Sequence, residues 1–497
     1  MLSVVRIGVL TARGSPSRQS STSTTKVHPF PSERSKDPSL TYTQSGLSKD
    51  DLKIFTNILG KEKKMEELLD LALKGAQAAE VIEVSSEGER AEFKAGRLKG
   101  IERRESRGWG LRVIRDGKIG FSSSTDPTKR GELVENALTS AQYGHEAKFS
   151  FPSLNHPLPV KTKDADIISF PLSEAIQHFS QAMEIIRDAN PAIYLEGYIQ
   201  KGTARERIIN SQGLDSAFER TGFGLLISGL LVESRGLLPI YEGVSSGSLK
   251  LQGKELAESL LHKVELAKVI LPGPSGELPV IFTPEALINL LIAIEMGING
   301  RLVQKGSSPL SDRLGEEVLS PQVNLYDDGT YNLLQGSRPL DGEGTPTRRT
   351  PLFVKGVLKN HLFDLHTGAL MGKESTGNAN RSYNSQPTPG INNLILEPGE
   401  KSLQELIAEV DEGIIIYEVL GGGQSNLLAG DFSLNIDLGY KIEGGELKGR
   451  VKDTMVSGNV YEVFKRVRAI GKESKEIGEY LIPPVAFDSI SVSGKGN

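Results

Sequence analysis

Cysteine is absent from the 497 residues of this chain, and histidine and tryptophan are scarce, with seven copies and one copy. Without a thiol the chain has no cysteine nucleophile and no thiolate metal ligand, and the absence fits a reducing compartment. We therefore expect a cytoplasmic protein. Basic charge is not in excess either, because 58 Lys and Arg residues against 63 Asp and Glu residues give a net charge of −5. This balance argues against a protein that binds nucleic acid directly through phosphate contacts.

A long hydrophobic run is also missing. The longest apolar stretch, Ala286 to Ile298, is interrupted by Asn289 and Glu295, whereas a membrane-spanning helix needs about 20 apolar residues. We therefore expect no membrane partner. The chain is long enough for two domains and a sizeable core.

Residues 1–64 differ in composition from the rest of the chain. No acidic residue precedes Glu33, while Ser, Thr, Arg and Pro abound, a composition superficially like an organelle transit peptide. The alternative is that translation begins at Met65 and that the preceding residues are a mis-assigned start or a disordered tail. We favour the second interpretation, and on either one we expect residues 1–64 not to pack.

The remaining chain predicts an α+β fold with two domains. Residues 65–270 open with a helix and continue as an antiparallel meander that breaks at Glu87-Gly88, Ala95-Gly96 and Asp116-Gly117. The Pro/Gly-rich LPGPSGELP joint marks the boundary to a strand-rich domain at residues 271–497. Beyond the opening helix, we predict helices at residues 128–143, 172–189, 253–267, 284–299, 403–409 and 459–470. The basic run Lys465 to Arg468 would lie on one face of the last helix.

The predicted helix at residues 284–299 follows a buried strand, Leu278 to Phe282. Thr283 stands at the N-cap position and Pro284 at the first helical position. Its apolar residues recur at helical spacing: Leu287, Leu290, Leu291, Ile294 and Ile298. The pattern indicates a helix packed into the core.

The segment from Asp341 to Arg381 crowds glycines, hydroxyl groups and basic residues around a predicted hairpin that turns at Lys355-Gly356. Its polar residues could bind the backbone of an extended peptide, or they could satisfy their own chain through local turns. From the residues alone we favour local turns.

Other catalytic patterns are weak. The glycine-rich run that starts at Gly421 lacks a GK[ST] signature, and Asp327-Asp328 stands in YDDGTY, which is typical of a turn. His145-Glu146 begins like a zinc-protease motif, but no second histidine follows. The one histidine pair worth weighing is His361 and His366, which bracket Asp364. We interpret the pair as satisfied or exposed, with a metal site there as an outside alternative.

Several motifs in order resemble the TldD/PmbA family, also called modulators of DNA gyrase. The family patterns D-x-E-G-T-P-T, G-x-L, S-T-G-N-x-x-R and L-x-G-D-F-S match residues 341–347, 356–358, 375–381 and 428–433. The resemblance extends from Met65 to the C-terminus. No single motif is very specific, but their shared order is hard to obtain by chance.

Proteolytic members of this family carry H-E-x-x-x-H on a helix after a buried strand, and a cysteine near the C-terminus, which together bind zinc. In this chain the corresponding helix contains Glu285 and Glu295 but no histidine, and the cysteine is absent. The resemblance is therefore to the PmbA (TldE) branch, which lacks the zinc motif and pairs with a TldD subunit that has it. It implies no metal and no cofactor in this chain, with zinc in the partner.

The implied role is a non-catalytic, pseudo-protease subunit of a heterodimer that cleaves flexible peptides. The resemblance implies that glycine-rich segments shape a peptide channel, with eight candidates: Asp341, Glu343, Gly344, Ser375, Thr376, Gly377, Asn378 and Arg381. Two alternatives remain open. One is a self-sufficient peptidase with a divergent site at His361, Asp364 and His366. The other is a homodimeric peptide-binding module that needs no protease partner.

Overall fold

Alternating residues in the first half of the chain form long antiparallel strands. The structure, a computed structural model, describes residues 64–126, 128–153, 157–233, 236–421 and 426–495. The first strands are β1 (Ala78–Lys94), β2 (Arg97–Arg115), β3 (Lys118–Ser124), β4 (Tyr194–Asn210), β5 (Asp215–Glu233) and β6 (Gly236–Ser246). The predicted turns at Ala95-Gly96 and Asp116-Gly117 are confirmed, with positive φ at all four residues, as tight hairpins require. The predicted break at Glu87-Gly88 is wrong, because β1 continues through it with a paired strand on each side.

The second half contains shorter strands and completes two sheets. These strands are β7 (Ile270–Pro272), β8 (Gly276–Phe282), β9 (Leu325–Asp328), β10 (Arg349–Val354), β11 (Val357–Leu358), β12 (Ala379–Asn380), β13 (Thr388–Pro389), β14 (Leu394–Leu396), β15 (Glu412–Leu420), β16 (Asp431–Glu443), β17 (Glu446–Lys452), β18 (Thr454–Asn459), β19 (Val467–Ile470), β20 (Lys475–Ile477), β21 (Tyr480–Ile482) and β22 (Val485–Gly494). The predicted hairpin turn at Lys355-Gly356 joins β10 to β11 and is confirmed.

A twelve-stranded sheet connects the two halves of the chain. Its order is β11-β10-β9-β14-β21-β20-β6-β5-β4-β1-β2-β3, and the halves meet where Ile477 of β20 pairs with Ser245 of β6. An eight-stranded sheet has the order β15-β8-β22-β18-β16-β17-β7, with β19 beside β22. Since β15 also pairs with β16, five of these strands form a closed circuit. The domain boundary at residue 270 stays a prediction.

Helices pack against both sheets. They are α1 (64–73), α2 (Arg130–Ser140), α3 (Ala165–Ser169), α4 (Leu172–Ala189), α5 (Gly253–Ala267), α6 (Pro284–Ile298), α7 (Gly300–Gln304), α8 (Leu365–Leu370), α9 (Leu403–Ala408) and α10 (Val460–Phe464), with 3-10 turns at Ala141–Tyr143 and Leu427–Ala429. The predictions for α4, α5 and α6 are confirmed almost to the residue. The predicted helix at residues 459–470 is wrong beyond Phe464. Val467 and Ile470 pair with β22 there, so the Lys465 to Arg468 run ends in a strand.

The first half of the large sheet has two unlike faces. On the first, which we call the helix face, Val81 and Leu111 pack with α1 and α2, while Ile199 and Leu225 pack with α4 and α5. Residues of opposite parity, such as Glu80 and Arg112, point to the other side, which we call the far face. At the end that holds Glu80 and Arg112, the 341–381 segment of the second half lies against the far face.

The described part of the chain combines helices and strands in an α+β fold, with a strand-rich second half. The prediction of the fold class is confirmed. The expectation that residues 1–64 do not pack falls, up to residue 63, outside the described residues. Within the described ranges, no helix has the length and apolar character needed to cross a membrane.

Candidate functional site

The 341–381 segment begins with a carboxylate that holds its own turn. Both oxygens of Asp341 are buried acceptors: Oδ1 accepts from the backbone N–H groups of Glu343 and Thr345 at 2.9 Å, and Oδ2 accepts from that of Ala379 at 3.0 Å. Burial and the nearby charge of Glu343 raise the pKa of Asp341 to about 7. The side chain therefore closes a loop and joins the two ends of the segment.

Four charged side chains then fasten the segment to the far face, and we call them the arginine cluster: Glu80, Arg112, Glu343 and Arg381. Arg112 of β2 bonds to Glu343 Oε1 and to Glu80 Oε2 at 3.2 Å, while Arg381 Nη2 lies 2.7 Å from Glu80 Oε1. The second oxygen of Glu343 accepts from the Leu365 N–H at 2.7 Å. Burial works against the charge of Arg112, but Glu80 and Glu343 raise its pKa above the usual value. Two cations and two anions thus balance in the interior.

Two predicted glycines mark forced geometry in this region. Gly344 has φ 80°, and a Cβ there would meet Leu214 Cδ2 at 2.1 Å; Gly377 has φ 77°, and a Cβ there would meet the Pro346 carbonyl oxygen at 2.4 Å. Both positions therefore require glycine, because a side chain would have no space and because the positive φ favours glycine.

The remaining predicted residues bond to their own chain. The Ser375 hydroxyl donates to the Phe363 carbonyl at 3.2 Å, and Thr376 Oγ1 accepts from the Phe363 N–H at 2.8 Å. Asn378 Nδ2 donates to Asp327 Oδ2 at 2.6 Å. The structure thus assembles all eight predicted residues into one region and gives their polar side chains partners within the chain, some nearby in sequence and some distant. Whether a peptide runs along this region stays a prediction.

The three residues of the alternative metal site, His361, Asp364 and His366, each contact a different partner. His361 Nε2 lies 3.0 Å from the Leu310 carbonyl oxygen, and Asp364 caps α8 by accepting from Thr367. The His366 ring lies beside that of His145, with 6.4 Å between centroids. In the described ranges, no group of three or more His, Cys, Asp or Glu side chains is arranged to hold a metal ion.

Helix α6 stands directly after the buried strand β8, as predicted. Thr283 occupies the N-cap position, but its hydroxyl makes no capping bond. The core-facing Leu290, Leu291 and Ile294 are fully buried. A half-buried stripe runs along the other side: Glu285, Ile288, Asn289, Ile292, Glu295 and Met296. Zinc in a protease of this kind needs imidazole or thiolate donors, so the residues present on α6 do not fit the metal.

The N-terminal end of α6 contacts a second set of ions, which we call the lysine cluster: Glu242, Lys263, Glu285 and Lys475. Lys475 Nζ lies 2.5 Å from Glu285 Oε1, and Lys263 Nζ lies 2.7 Å from Glu242 Oε1. Burial opposes the charged form of Glu285, but Lys475 and Lys263 lower its pKa to about 2. This glutamate is therefore an ion-pair anchor between α6, β20 and α5.

The C-terminal end of α6 lies among acids instead. Burial, together with the charges of Glu479 and Asp327, raises the pKa of Glu295 to about 7, although the Tyr480 hydroxyl donates to its Oε1 at 2.5 Å. Burial also raises the pKa of Asp327 to about 7, against hydrogen bonds from Asn378 and Asn392. Two carboxyl groups near this end therefore titrate close to neutral pH.

Four residues of this region were not singled out from the sequence: Glu80, Arg112, Asp327 and Asn392. Asp327 was interpreted only as part of a turn, yet it accepts from Asn378, and from Asn392 through both its backbone and side-chain N–H groups. For Arg112 the sequence did contain a signal, which is the alternation of side chains between the two faces of a strand. Arg112 stands inside such an alternating strand, and a charge at a buried strand position indicates a buried partner.

Two regions of the chain match descriptions of a known protein family. The family description "PmbA/TldA metallopeptidase C-terminal domain" matches residues 275–494, and "PmbA/TldA metallopeptidase domain 1" matches residues 79–141. Together they cover more than half of the chain.

Relatives match along different lengths. A protein of Methanocaldococcus jannaschii is 28% identical over 428 residues, covering 85% of this chain and 98% of the relative. The metalloprotease PmbA homolog of Haemophilus influenzae is 23% identical over 448 residues, covering 86% and 94%. The metalloprotease TldD homolog of the same organism is 32% identical over 206 residues, covering 41% and 42%.

Solved structures share the fold. TldE from Thermococcus kodakarensis has a TM-score of 0.79 at 23% identity, covering 87% of this chain and all of that one. A proposed modulator of DNA gyrase from Thermotoga maritima has a TM-score of 0.78 at 26% identity, with the same coverage. Motif order, both domain descriptions and the fold agree, and the chain belongs to the TldD/PmbA family of metallopeptidase-like proteins.

Proposed function

We propose that this chain is a PmbA/TldE-like subunit of a TldD/TldE-type zinc metallopeptidase that cleaves flexible peptides, and that it is itself non-catalytic. The observation that carries the proposal is helix α6. It stands after the buried strand where the family's proteases hold their metal, yet its inner side is packed leucine and isoleucine. Its two glutamates have no imidazole neighbour on the helix, so they cannot build the zinc site.

The lengths of the matches support the same branch. The Haemophilus influenzae PmbA homolog matches over 448 residues, whereas the TldD homolog of that organism matches over 206. A chain that follows a PmbA homolog through both halves is the better counterpart of the subunit without the zinc motif. Zinc and the catalytic glutamate would then belong to a TldD-like partner.

The 341–381 segment would shape the peptide channel through its backbone. Its side chains are committed to internal bonds, and the arginine cluster fixes the segment to the sheet. A rigid backbone edge can hold an extended peptide without strict sequence preference. The cytoplasmic location expected from the sequence stays a prediction.

The test is co-expression with a relative from the same genome that carries HExxxH. Three samples are compared for bound zinc and for cleavage of a flexible peptide: this chain, the relative, and both together. We expect no zinc and no cleavage with this chain alone, and cleavage by the pair with one zinc per pair. Stoichiometric zinc and cleavage by this chain alone would contradict the proposal and favour the self-sufficient peptidase.

A matched pair of variants locates the catalytic glutamate. Glu295→Gln in this chain should leave cleavage by the pair within about twofold, whereas Glu→Gln in the relative's HExxxH should abolish it. A loss of more than about tenfold with Glu295→Gln would place α6 of this chain in the chemistry.

A further inference from the structure

A buried arginine without an acidic partner lies just before the 341–381 segment. Arg338 is 6% exposed, and no carboxylate oxygen of the described residues lies within 4.0 Å of its guanidinium nitrogens. Its Nε donates a long hydrogen bond, 3.4 Å, to the Gly336 carbonyl oxygen. Its terminal nitrogens have no partner in the part of the chain that the structure describes, and they are not fully enclosed. Because a guanidinium taken out of water needs compensation, these nitrogens are available to a ligand.

Glu479 is the acid whose charge Arg338 influences. It is half-buried in the turn between β20 and β21, and its carboxylate makes no hydrogen bond or ion pair within the described ranges. Burial raises the pKa of Glu479, and the charges of Arg338 and Arg220 oppose this only in part. The guanidinium of Arg338 and the carboxylate of Glu479 therefore interact across a gap of more than 4.0 Å.

The backbone holds both sides of this gap in place. The Gly336 N–H donates to Asn393 Oδ1 at 2.9 Å, and the Leu394 N–H donates to the Glu479 carbonyl oxygen at 2.8 Å. Because Asn393 and Leu394 are consecutive, the loop of Arg338 and the turn of Glu479 are tied to the same point of the chain. The two free charges are thus preorganised without pairing with each other.

The gap lies beside the C-terminal end of α6. The next residue after Glu479, Tyr480, donates to Glu295 Oε1 of this helix at 2.5 Å. Arg220 of β5 also acts on Glu479, but its own charge is paired with Glu206 at 2.9 Å. Arg338 and Glu479 are therefore the two charges of this region that remain free, and they stand next to the helix on which the proposed function depends.

The opposite signs of the two groups select the chemistry of the ligand. A carboxylate bound to Arg338 would meet the charge of Glu479, and a cation bound to Glu479 would meet that of Arg338. A neutral group that offers one acceptor and one donor satisfies both. The backbone of an extended peptide is such a group, because the C=O and N–H of one residue point to the same side of the strand.

We propose that Arg338 and Glu479 bind the peptide backbone, with Arg338 donating to one C=O and Glu479 accepting from one N–H. This inference rests on the proposed function, since it assigns two contacts to the peptide that the zinc-bearing partner would cleave. Neither contact reads a side chain, so both add affinity without sequence preference.

Binding of a fluorescent flexible peptide to the pair tests the proposal, with the relative's HExxxH glutamate changed to Gln so that the peptide stays intact. We expect Arg338→Met and Glu479→Met each to raise Kd at least about 10-fold, as for a lost hydrogen bond to a charged group. Arg338→Met should not lower the urea midpoint of this chain, because it removes a buried cation that has no counter-ion.

Arg349→Met is the matched control. Arg349 lies on β10, is 52% exposed and pairs with Glu397 at 3.1 Å, so Kd should stay within about twofold. Unchanged Kd in both Met variants would overturn the inference while the wild-type pair still cleaves the peptide. Absence of cleavage by the wild-type pair would instead contradict the proposed function.

Ester analogues of the peptide identify the contact with Glu479. Each analogue replaces one backbone N–H by oxygen, and we expect one position to weaken binding to the wild-type pair at least about 10-fold. The same ester should cause no further loss with Glu479→Met, because the two changes remove one hydrogen bond. Tighter binding with Glu479→Met would overturn the proposal and indicate a carboxylate ligand for Arg338, and so would an ester series in which no position matters.

Discussion

The arginine cluster and the lysine cluster fasten different parts of this molecule, and they differ in how completely they are closed. In the arginine cluster the side chains of Arg112 and Arg381 are 3% and 1% exposed, and those of Glu80 and Glu343 are fully buried. In the lysine cluster Lys263 and Glu242 are buried, but Lys475 and Glu285 are 35% and 30% exposed. Water can therefore reach one side of the second cluster.

This difference shows which contacts the fold depends on. Loss of one partner in a closed cluster leaves a buried charge without compensation, whereas in an open cluster water can solvate the remaining charge. The closed cluster also joins residues far apart in sequence, since Glu80 and Arg381 lie on opposite sides of the contact between the first sheet and the 341–381 segment. We expect the architecture to depend on the arginine cluster much more than on the lysine cluster.

The largest effect is expected from Arg112→Met. Methionine fills a similar volume but leaves Glu80 and Glu343 in the interior without the guanidinium that bridges them. The free energy of unfolding should fall by about 4 kcal/mol, as for a buried pair that loses one partner. Urea unfolding at pH 7 measures it.

Arg104→Met is the control, because Arg104 has the same parity on the same strand, is 73% exposed and pairs with Glu102 at the surface. Its effect should be below about 0.5 kcal/mol. Equal losses in the two variants would remove the distinction between closed and open ion pairs.

The open cluster should respond less and in a pH-dependent way. The pKa of Glu285 is lowered from 4.5 to about 2 in the folded chain, so its charge stabilises the fold above pH 4.5 and this contribution is lost as the pH falls through about 2. Glu285→Gln should therefore cost about 2 kcal/mol at pH 7, a value reduced for its partial exposure. The difference from wild type should shrink between pH 4.5 and pH 2 in urea unfolding. A difference that does not change with pH would mean that the loss comes from packing and not from charge.

Local sequence patterns were sufficient for several single elements. Apolar spacing placed α6, and the Lys355-Gly356 turn was predicted because it stands between two strand-like apolar runs. The failures came where tertiary pairing overrides local preference. Val467 to Ile470 continues a helical pattern in the sequence but pairs with β22 in the structure. Strand β1 continues through Gly88 because it pairs there with a strand on each side.

The side chains that pair with the predicted site residues were harder to predict than the site residues themselves. Asp341, Glu343 and Arg381 were recognised as a group through the family motifs, while Glu80 and Arg112 were not, because no local spacing relates a residue of β1 to one three hundred positions later. A polar, glycine-rich segment is typical of a surface loop. Much of this one is nevertheless buried, and two of its charges meet Glu80 and Arg112 on the far face.

The smallest expected effect extends the comparison to the other end of α6 and has the opposite sign. The pKa of Glu295 is raised from 4.5 to about 7 by burial and by the nearby charges of Glu479 and Asp327. The folded state therefore binds a proton more tightly than the unfolded state, so the group favours folding below pH 4.5 and this contribution is lost as the pH rises through about 7. Glu295→Gln removes the titration and should gain about 1 kcal/mol relative to wild type between pH 4.5 and pH 8, a value reduced because the side chain is only half-buried. Urea unfolding of both proteins across this range measures the gain. Parallel pH profiles for Glu285→Gln and Glu295→Gln would contradict the assignment of opposite environments to the two ends of one helix.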